Sequence, residues 1–510
     1  MEKTIDLVTV YPDLDAGQKR TQNHPFIACE LLSESGQIHD KIAESPQLLD
    51  KLFAFLHQDT LHPTLLGYFS KTVQALLSRA FEKTLSYLGS SGTQSLVNHI
   101  GQRSILDILL KILQSDALGK EEIFNVQKQV LSQVFDKLIN GGEWECMHSS
   151  LLLSDIINKV TDIPQGKELV QSIVEERNIK LLYDLLISDT QYKINASAGV
   201  VKTLYIVNFR VDLVSLYPWF NFSEYFIQIL SQLEITLTTA PSTSILNTIK
   251  EEVVPLGEAR LKLIEVIAYA LKNSKESVNE KVAESKIPNI LIKLFFTYPW
   301  HSMLHNAIDL IIQNVQQSSH EKLIKSFFCS KELFQEILSS VKQSPRHRLG
   351  NLGYVHKFAN YLKETSDPLI KEFLSNEPDW VDFTSGYLKE RNNTEKRQLG
   401  QFNKLDSSSK SDVKSEEKAV NEKEELGYEA NPEDEGKVNE SEGNFNKLIE
   451  EKIDEESKNE SMPEKLSPIK SFKERRLSDD LNRSPKSDNE YGDLHYWKLD
   501  IIVDEIEDLD

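Results

Sequence analysis

Residues 255–305 read PLGEARLKLIEVIAYALKNSKESVNEKVAESKIPNILIKLFFTYPWHSMLH, and their periodicity decides the fold class. Pro255 and Gly257 punctuate the start, and the run behind them predicts a helix of about fifteen residues. On a wheel of about 100° per residue, Glu258, Lys262, Glu265, Tyr269 and Lys272 fall within roughly 80° of arc. Leu261, Leu263, Ile264, Val266, Ile267, Ala268, Ala270 and Leu271 fill nearly all the rest. An apolar arc that wide needs neighbours on more than one side, the situation of an inner helix among stacked helical pairs. Arg260 projects from the middle of the apolar arc, opposite the polar stripe. A second helix is predicted over about 288–297 and a third from near Ser302. Helix, short polar break, helix is the unit of an α-solenoid.

Working outward, the periodicity persists in both directions and no strand alternation of useful length interrupts it. The chain therefore reads as all-α, an armadillo/HEAT-like α-solenoid with pairs about every 40 residues and no strict sequence repeat. Residues 1–23 read as irregular and 24–395 as the helical repeats. Helices are expected near 25–33, 36–44 and 47–57, with Pro46 in a first turn behind a Ser45 cap. A long helix over 63–88 follows, then segments near 93–100, 103–114, 121–139, 144–160, 165–175, 177–188, 193–208 and 223–234. Beyond the opening stretch come 320–341, 351–364, 367–375 and 378–391. Tyr217, Trp219 and Phe220, in an aromatic loop over 209–222, are expected to plug a helix junction, and the Thr- and Ser-rich 235–250 reads as a loop between repeats. On the 63–88 segment Lys71, Ala75, Ser78, Arg79, Glu82 and Ser86 share one face. That face is either solvated, with ion pairs at helix spacing, or a ridge turned to a partner.

Charge and composition bound the function. Of the net −21, residues 401–510 hold about 32 acidic and 17 basic side chains, which leaves the first 400 residues near balance. Such a balance gives no electrostatic reason to expect nucleic acid. No window of eighteen apolar residues is present, so no membrane span is expected. Cys29, Cys146 and Cys329 make neither a metal spacing nor a disulfide framework, which suits a reducing compartment: the cytoplasm, with the nucleus also open.

From about 396 to 510 apolar residues are too sparse to offset the entropy of ordering, and a disordered acidic tail is expected. Ser467 and Ser484 each precede proline, Ser478 follows Arg475-Arg476, and Ser487 precedes Asp488, so the four are candidate phosphosites. Residues 494–510 (LHYWKLDIIVDEIEDLD) regain aromatics and aliphatics, as a docking segment would. No catalytic constellation emerges. His301 and His305 stand at i, i+4, but Ser302 occupies the place where a zinc protease needs glutamate, and no third ligand is positioned by spacing. Structural histidines near a helix start are the stronger reading, no cofactor is expected, and the activity left to the chain is binding.

Several segments share the order and residues of a known family. They are HPFIACELLSESGQIHDKI (24–42), LHPTLLGYFSK (61–71) with Arg79 and Glu82, and His99-Ile100-Gly101 with the LDILL of 106–110. The PLGEARLKLIE of 255–265 with the later TYPW and LH belongs to the series. So do Arg348-Leu349-Gly350-Asn351-Leu352-Gly353-Tyr354 with Asn360, and Trp380 with Asp382. In this the chain resembles the SAPS family, regulatory subunits associated with the catalytic subunit of the type 6 (Sit4-like) serine/threonine protein phosphatase. It departs from the family pattern at Ala80-Phe81, where Lys-Thr is usual, and at Gln102-Arg103, where Thr-Ser is usual.

The resemblance implies a non-catalytic scaffold that binds this phosphatase and directs its substrate choice. Lys71, Arg79, Glu82 and Arg346 are candidates for its partner surface, and Arg260 is expected to pair with a buried carboxylate between repeats. A general armadillo/HEAT-type adaptor without phosphatase binding is the alternative. A metal hydrolase built on His301 and His305 is a third reading of a different class.

Overall fold

The computed structural model describes residues 1–396 apart from 13–16, 35, 59, 117–119, 218–220, 240–242, 247–249, 251, 273 and 343–348. Met1–Lys396 forms one packing unit. Arg346, the four candidate phosphosites and the 494–510 segment lie outside the described residues.

The unit is a succession of helices. It opens with α1 (Glu2–Thr9), α2 (His24–Glu34), α3 (Gly36–Glu44), α4 (Pro46–Phe53), α5 (Pro63–Arg79) and α6 (Phe81–Asn98). Next come α7 (Arg103–Gln114), α8 (Glu121–Asn140), α9 (Glu143–Asn158), α10 (Gly166–Ile173), α11 (Glu176–Leu186) and α12 (Gln191–Val211). The single turn α13 (Leu213–Leu216) and α14 (Phe222–Thr238) lead to a hairpin, β1 (Ile245–Leu246) and β2 (Glu252–Val253). Then follow α15 (Glu258–Leu271), α16 (Glu276–Glu284), α17 (Ile287–Thr297), α18 (Ser302–Ser318), α19 (Glu321–Phe328) and α20 (Lys331–Lys342). The last are α21 (Leu352–Glu364), α22 (Pro368–Ser375), α23 (Pro378–Ser385) and α24 (Tyr387–Glu395).

These helices pack in two rows. In one, α2, α5, α7, α9, α12, α15 and α18 each lie on the next. The row continues into α21, whose Tyr354 and Lys357 reach Asn306 and Asp309 of α18. The other row runs through α6, α8, α11, α14, then α16 with α17, α19 and α22. Chain neighbours α5/α6, α8/α9, α11/α12 and α14/α15 join the rows, and the core lies between them. Ile156, Leu204, Leu233 and Ile267 are wholly buried there, each contributing about 1.5–3 kcal/mol through loss of water contact. This is the armadillo/HEAT-like solenoid that the 255–305 stretch predicts, with α15 held between α12 and α18.

Side-chain bridges fix the direction of the first row. Asn195 bonds Glu258 and Lys202 bonds Glu265, both across 63 residues, so α12 and α15 run the same way. The same holds for α9 and α12, where Ser150 reaches Ala196 and Arg210 reaches Asn158. It holds again for α18 and α21, whose two bridges each span 48 residues. Between α15 and α18, Arg260 meets Tyr298 just ahead of α18, and Asn314 meets Ala268 further along both helices. The first turns of α9, α12, α15, α18 and α21 therefore lie along one edge.

Several local expectations change. The leading residues are not all irregular, because Ile5 and Val8, one turn apart and fully buried, seat α1 on α2 and α4, and Lys51 pairs with Asp6 at 2.7 Å. The helix expected over 63–88 breaks at Ala80 (φ −129°, ψ 49°). Past that break the expected end after Leu88 holds, because Gly89 (φ 49°, ψ −155°) leaves the helical conformation and kinks α6 before it runs on to Asn98. The segment over 320–341 breaks at Cys329–Ser330, and that over 378–391 at Gly386. Helix α16 occupies the supposed polar break, held by Val278 and Val282, too few apolar residues to show a period. The loop expected over 235–250 starts later, since α14 runs on to Thr238, and it carries β1, paired antiparallel to β2 with Ile245 opposite Val253.

Other expectations hold. Ser45 accepts from the Leu48 amide with Pro46 in the first turn. Tyr217 is buried and donates to the Lys167 carbonyl at 2.7 Å, the plug expected of it, while Trp219 and Phe220 lie outside the described residues. Among the described residues no helix is long and apolar enough to cross a membrane.

Candidate partner-binding face

The polar face of α5 and α6 is built of bonds between helices rather than along one helix. Lys71 pairs with Glu30 of α2 at 2.5 Å, Arg79 with Asp40 of α3 at 3.5 Å, and Lys83 with Glu44 at 2.9 Å. Tyr87 donates to Asp50 of α4, and burial followed by that carboxylate pushes its phenol up to about 12. Glu82 turns the other way, to Lys120 just ahead of α8. Lys71, Arg79 and Glu82 thus form parts of a ladder across three layers. Each stays at least half exposed, so a pair contributes about 0–1 kcal/mol and its charges remain within reach of a partner.

Arg260 is buried, but not against a carboxylate. Its Nε donates to the Leu256 carbonyl, and its two terminal nitrogens reach the carbonyls of Pro255 and Leu237 and the Tyr298 hydroxyl. No ion pair of Arg260 occurs among the described residues. The expectation of a buried acidic partner is corrected here. The carbonyls just ahead of α15 and at the end of α14 lack helical donors and point inward, so backbone dipoles take the charge. The guanidinium also lies 5.7 Å from the Tyr298 ring centroid.

His301 caps α18, its Nδ1 accepting from the Leu304 amide at 3.2 Å. His305 is buried and donates to the Tyr298 carbonyl at 2.9 Å, and desolvation holds its pKa below the ordinary value. Both imidazoles serve the backbone around the start of α18. Burial raises the pKa of all three thiols, so none is poised as a nucleophile.

Deeper in the first row, buried polar side chains staple several of the helices to the backbone of a neighbouring layer. Ser70 donates to the Ser104 carbonyl at 2.6 Å, and His148 to Ile100 at 2.8 Å. Ser150 donates to Ala196 at 2.6 Å and Asn314 to Ala268 at 2.7 Å. A slip by one residue would strand both donor and carbonyl in a dry core, so these bonds fix register. Above them the exposed stripe carries the bridges Asn195–Glu258, Lys202–Glu265 and Lys357–Asp309.

The apolar residues that this stripe leaves in solvent were not singled out from the sequence. Trp144 is 64% exposed at the start of α9, and Met147 and Leu151 follow it along the same face. Trp300 and Met303 are 48% and 57% exposed at the start of α18. Both sites share the spacing Trp-x-x-Met, and they hold two of the chain's four methionines. That spacing is the one sequence signal that could have found them. Behind each tryptophan stands a glycine of the neighbouring layer. A Cβ on Gly350 would sit 2.9 Å from the Pro299 carbonyl and 3.2 Å from the Trp300 ring. One on Gly101 would meet Trp144 at 3.7 Å and Glu145 at 3.4 Å. Tryptophan and methionine are among the residues enriched where one protein grips another.

The family profile SAPS, described as SIT4 phosphatase-associated protein, matches residues 73–287 and 281–397. This chain belongs to the SAPS family. Both Trp-Met pairs, Arg79, Glu82 and Arg260 fall inside the SAPS match, whereas Lys71 precedes it. Among SAPS relatives, the chicken serine/threonine-protein phosphatase 6 regulatory subunit 3 is 24% identical over 459 residues, covering 77% of this chain and 52% of that protein. The human serine/threonine-protein phosphatase 6 regulatory subunit 1 is 24% identical over 479 residues, covering 80% and 54%. The human regulatory subunit 2 is 26% identical over 383 residues, covering 69% and 38%. The chain spans about half the length of the first two. Among solved structures, a designed armadillo repeat protein in complex with the peptide (KR)4 is 11% identical, with a TM-score of 0.26 over 47% of this chain and 93% of its own. That likeness is too slight to bear on the SAPS fold described above.

Proposed function

We propose that this chain is a regulatory and scaffolding subunit that binds the catalytic subunit of a type 6 (Sit4-like) serine/threonine protein phosphatase and directs its substrate choice. The SAPS match over 73–397 carries this reading. The three relatives named above support it, since each is a phosphatase 6 regulatory subunit. The chain performs no reaction of its own in this reading. It acts in the cytoplasm, and in the nucleus where its phosphatase enters.

Lys71, Arg79, Glu82 and Arg346 supply polar contacts to the catalytic subunit. The acidic tail beyond 396 is tuned by phosphate at Ser467, Ser478, Ser484 and Ser487, and recruits further proteins through 494–510. Affinity purification of the tagged full chain tests the central claim. A type 6 catalytic subunit recovered at near-stoichiometric yield is the expected result. Its absence, with other proteins recovered instead, would leave the chain a general helical-repeat adaptor.

A further inference from the structure

We infer that the two exposed Trp-Met pairs, Trp144 with Met147 and Trp300 with Met303, are two anchors for one folded partner that bridges four helices of the first row. The partner is the phosphatase catalytic subunit, so the inference rests on the reading above and deepens it by naming the contact. Three observations lead there.

The first is placement. Helices α9, α12, α15 and α18 run parallel, so both tryptophans, each beside the first turn of its helix, lie on one edge. Three inter-helix steps of 8–10 Å put them roughly 25–30 Å apart. The second is preparation. Gly350 approaches the Pro299 carbonyl and the Trp300 ring too closely to admit a side chain, whereas a Cβ on Gly101 would make only ordinary contact with the Trp144 Cβ at 3.7 Å and with Glu145 at 3.4 Å. The Trp300 indole packs on the Gly350 layer while about half of it meets water, and the Trp144 indole lies beside the His148 ring at 6.1 Å. Part of the side-chain entropy is thus spent before a partner arrives.

The third is area. Either patch alone offers on the order of 200–300 Å² of apolar surface, well short of the ~800 Å² per partner of a stable interface. A body that covers both patches and the strip between them reaches that figure. The strip, carrying Asn195, Glu258, Lys202 and Glu265, supplies the polar contacts between the anchors. A short peptide seated on one patch does not reach it.

The test is the affinity of the full-length chain for a purified type 6 catalytic subunit, measured for wild type, Trp144→Ala, Trp300→Ala and the double variant. Each single change is expected to weaken binding about 10- to 100-fold, as for a central aromatic anchor. The double variant is expected to lose the product of the two, because anchors this far apart act independently in free energy. Binding is one to one. Met147→Glu and Met303→Glu, at exposed positions, repeat the measurement should an alanine variant unfold.

Wild-type binding with variants within twofold of it overturns the inference alone, as does a stoichiometry of two catalytic subunits per chain. A loss confined to one tryptophan does so too, since it describes a single patch. No binding by the wild-type chain overturns the phosphatase reading beneath it.

Discussion

Replacing Arg260 by leucine asks how much a buried charge held by backbone carbonyls is worth. The guanidinium donates at 2.5 Å to Leu256, 2.9 Å to Pro255 and 3.0 Å to the Tyr298 hydroxyl, with a weaker 3.5 Å contact to Leu237. Leucine removes every donor and leaves the acceptors in place. Each buried acceptor left unpaired costs about 1–3 kcal/mol, while the half-exposed ones recover part of that from water. Against this stands the desolvation cost of the charge itself, which leucine relieves. With only one side of the network removed, the expected loss is about 3 kcal/mol, close to what breaking a buried pair costs.

In a stacked array the damage stays local, because each layer touches only its neighbours. Hydrogen exchange resolves this better than a global melt. Amides of α14, α15 and the end of α17 should exchange about 100-fold faster in Arg260→Leu, since 1.4 kcal/mol is tenfold, while α5 to α9 keep the wild-type rate. Arg260→Lys, with one donor group in place of a fork, should fall between. Protection in α15 within fivefold of wild type would refute the reasoning, because the guanidinium would then cost as much to bury as its bonds return.

Three further predictions follow from the same geometry. His305 is buried between Phe295 and Tyr354, donates to Tyr298 and lies near His301, and burial depresses its pKa. The unfolded chain therefore binds the proton first, and the stability His305 lends is full above about pH 6.5 and lost as pH falls through the folded value. His305→Gln should flatten that part of a stability–pH profile, and an unchanged slope would count against it. Asn314→Leu removes the donor to Ala268 and should cost about 1–3 kcal/mol in chemical denaturation, with the loss centred on α15 and α18. Lys71→Ala and Arg79→Ala break exposed pairs, so each should shift stability by less than about 1 kcal/mol, and by less still in high salt.

The fold was legible wherever burial forces a wide apolar arc. Helix α15 shows this, since its polar stripe of Glu258, Lys262, Glu265 and Tyr269 is the part that reaches solvent, while Leu263, Ile264 and Ile267 are buried. The breaks at Ala80 and at Cys329–Ser330 were not legible, because neither contains proline or glycine and each is set by what the next layer requires. Helix α16 escaped notice because two valines hold it. The partners of Arg260 were invisible for another reason. A carbonyl belongs to every residue, so no residue type signals that a guanidinium will be neutralised by backbone, and charge-to-charge pairing is the only match a sequence offers.

The exposed tryptophans illustrate the limit for function. In a sequence, Trp144 and Trp300 look like core residues, since aromatics beside a helix start usually plug a junction, as Tyr217 does. What separates them is the neighbouring layer, which brings Gly350 against the Trp300 ring and Gly101 near the Trp144 Cβ, where a bulky side chain would crowd them. That information lies about 45 residues away in sequence, one repeat along, so a local reading could not reach it. The inner helices bury so much of their surface that little more than a residue per turn is left to meet a partner. On such a stripe two tryptophans are a large share of the available contact, which makes their deletion the sharpest probe of the face.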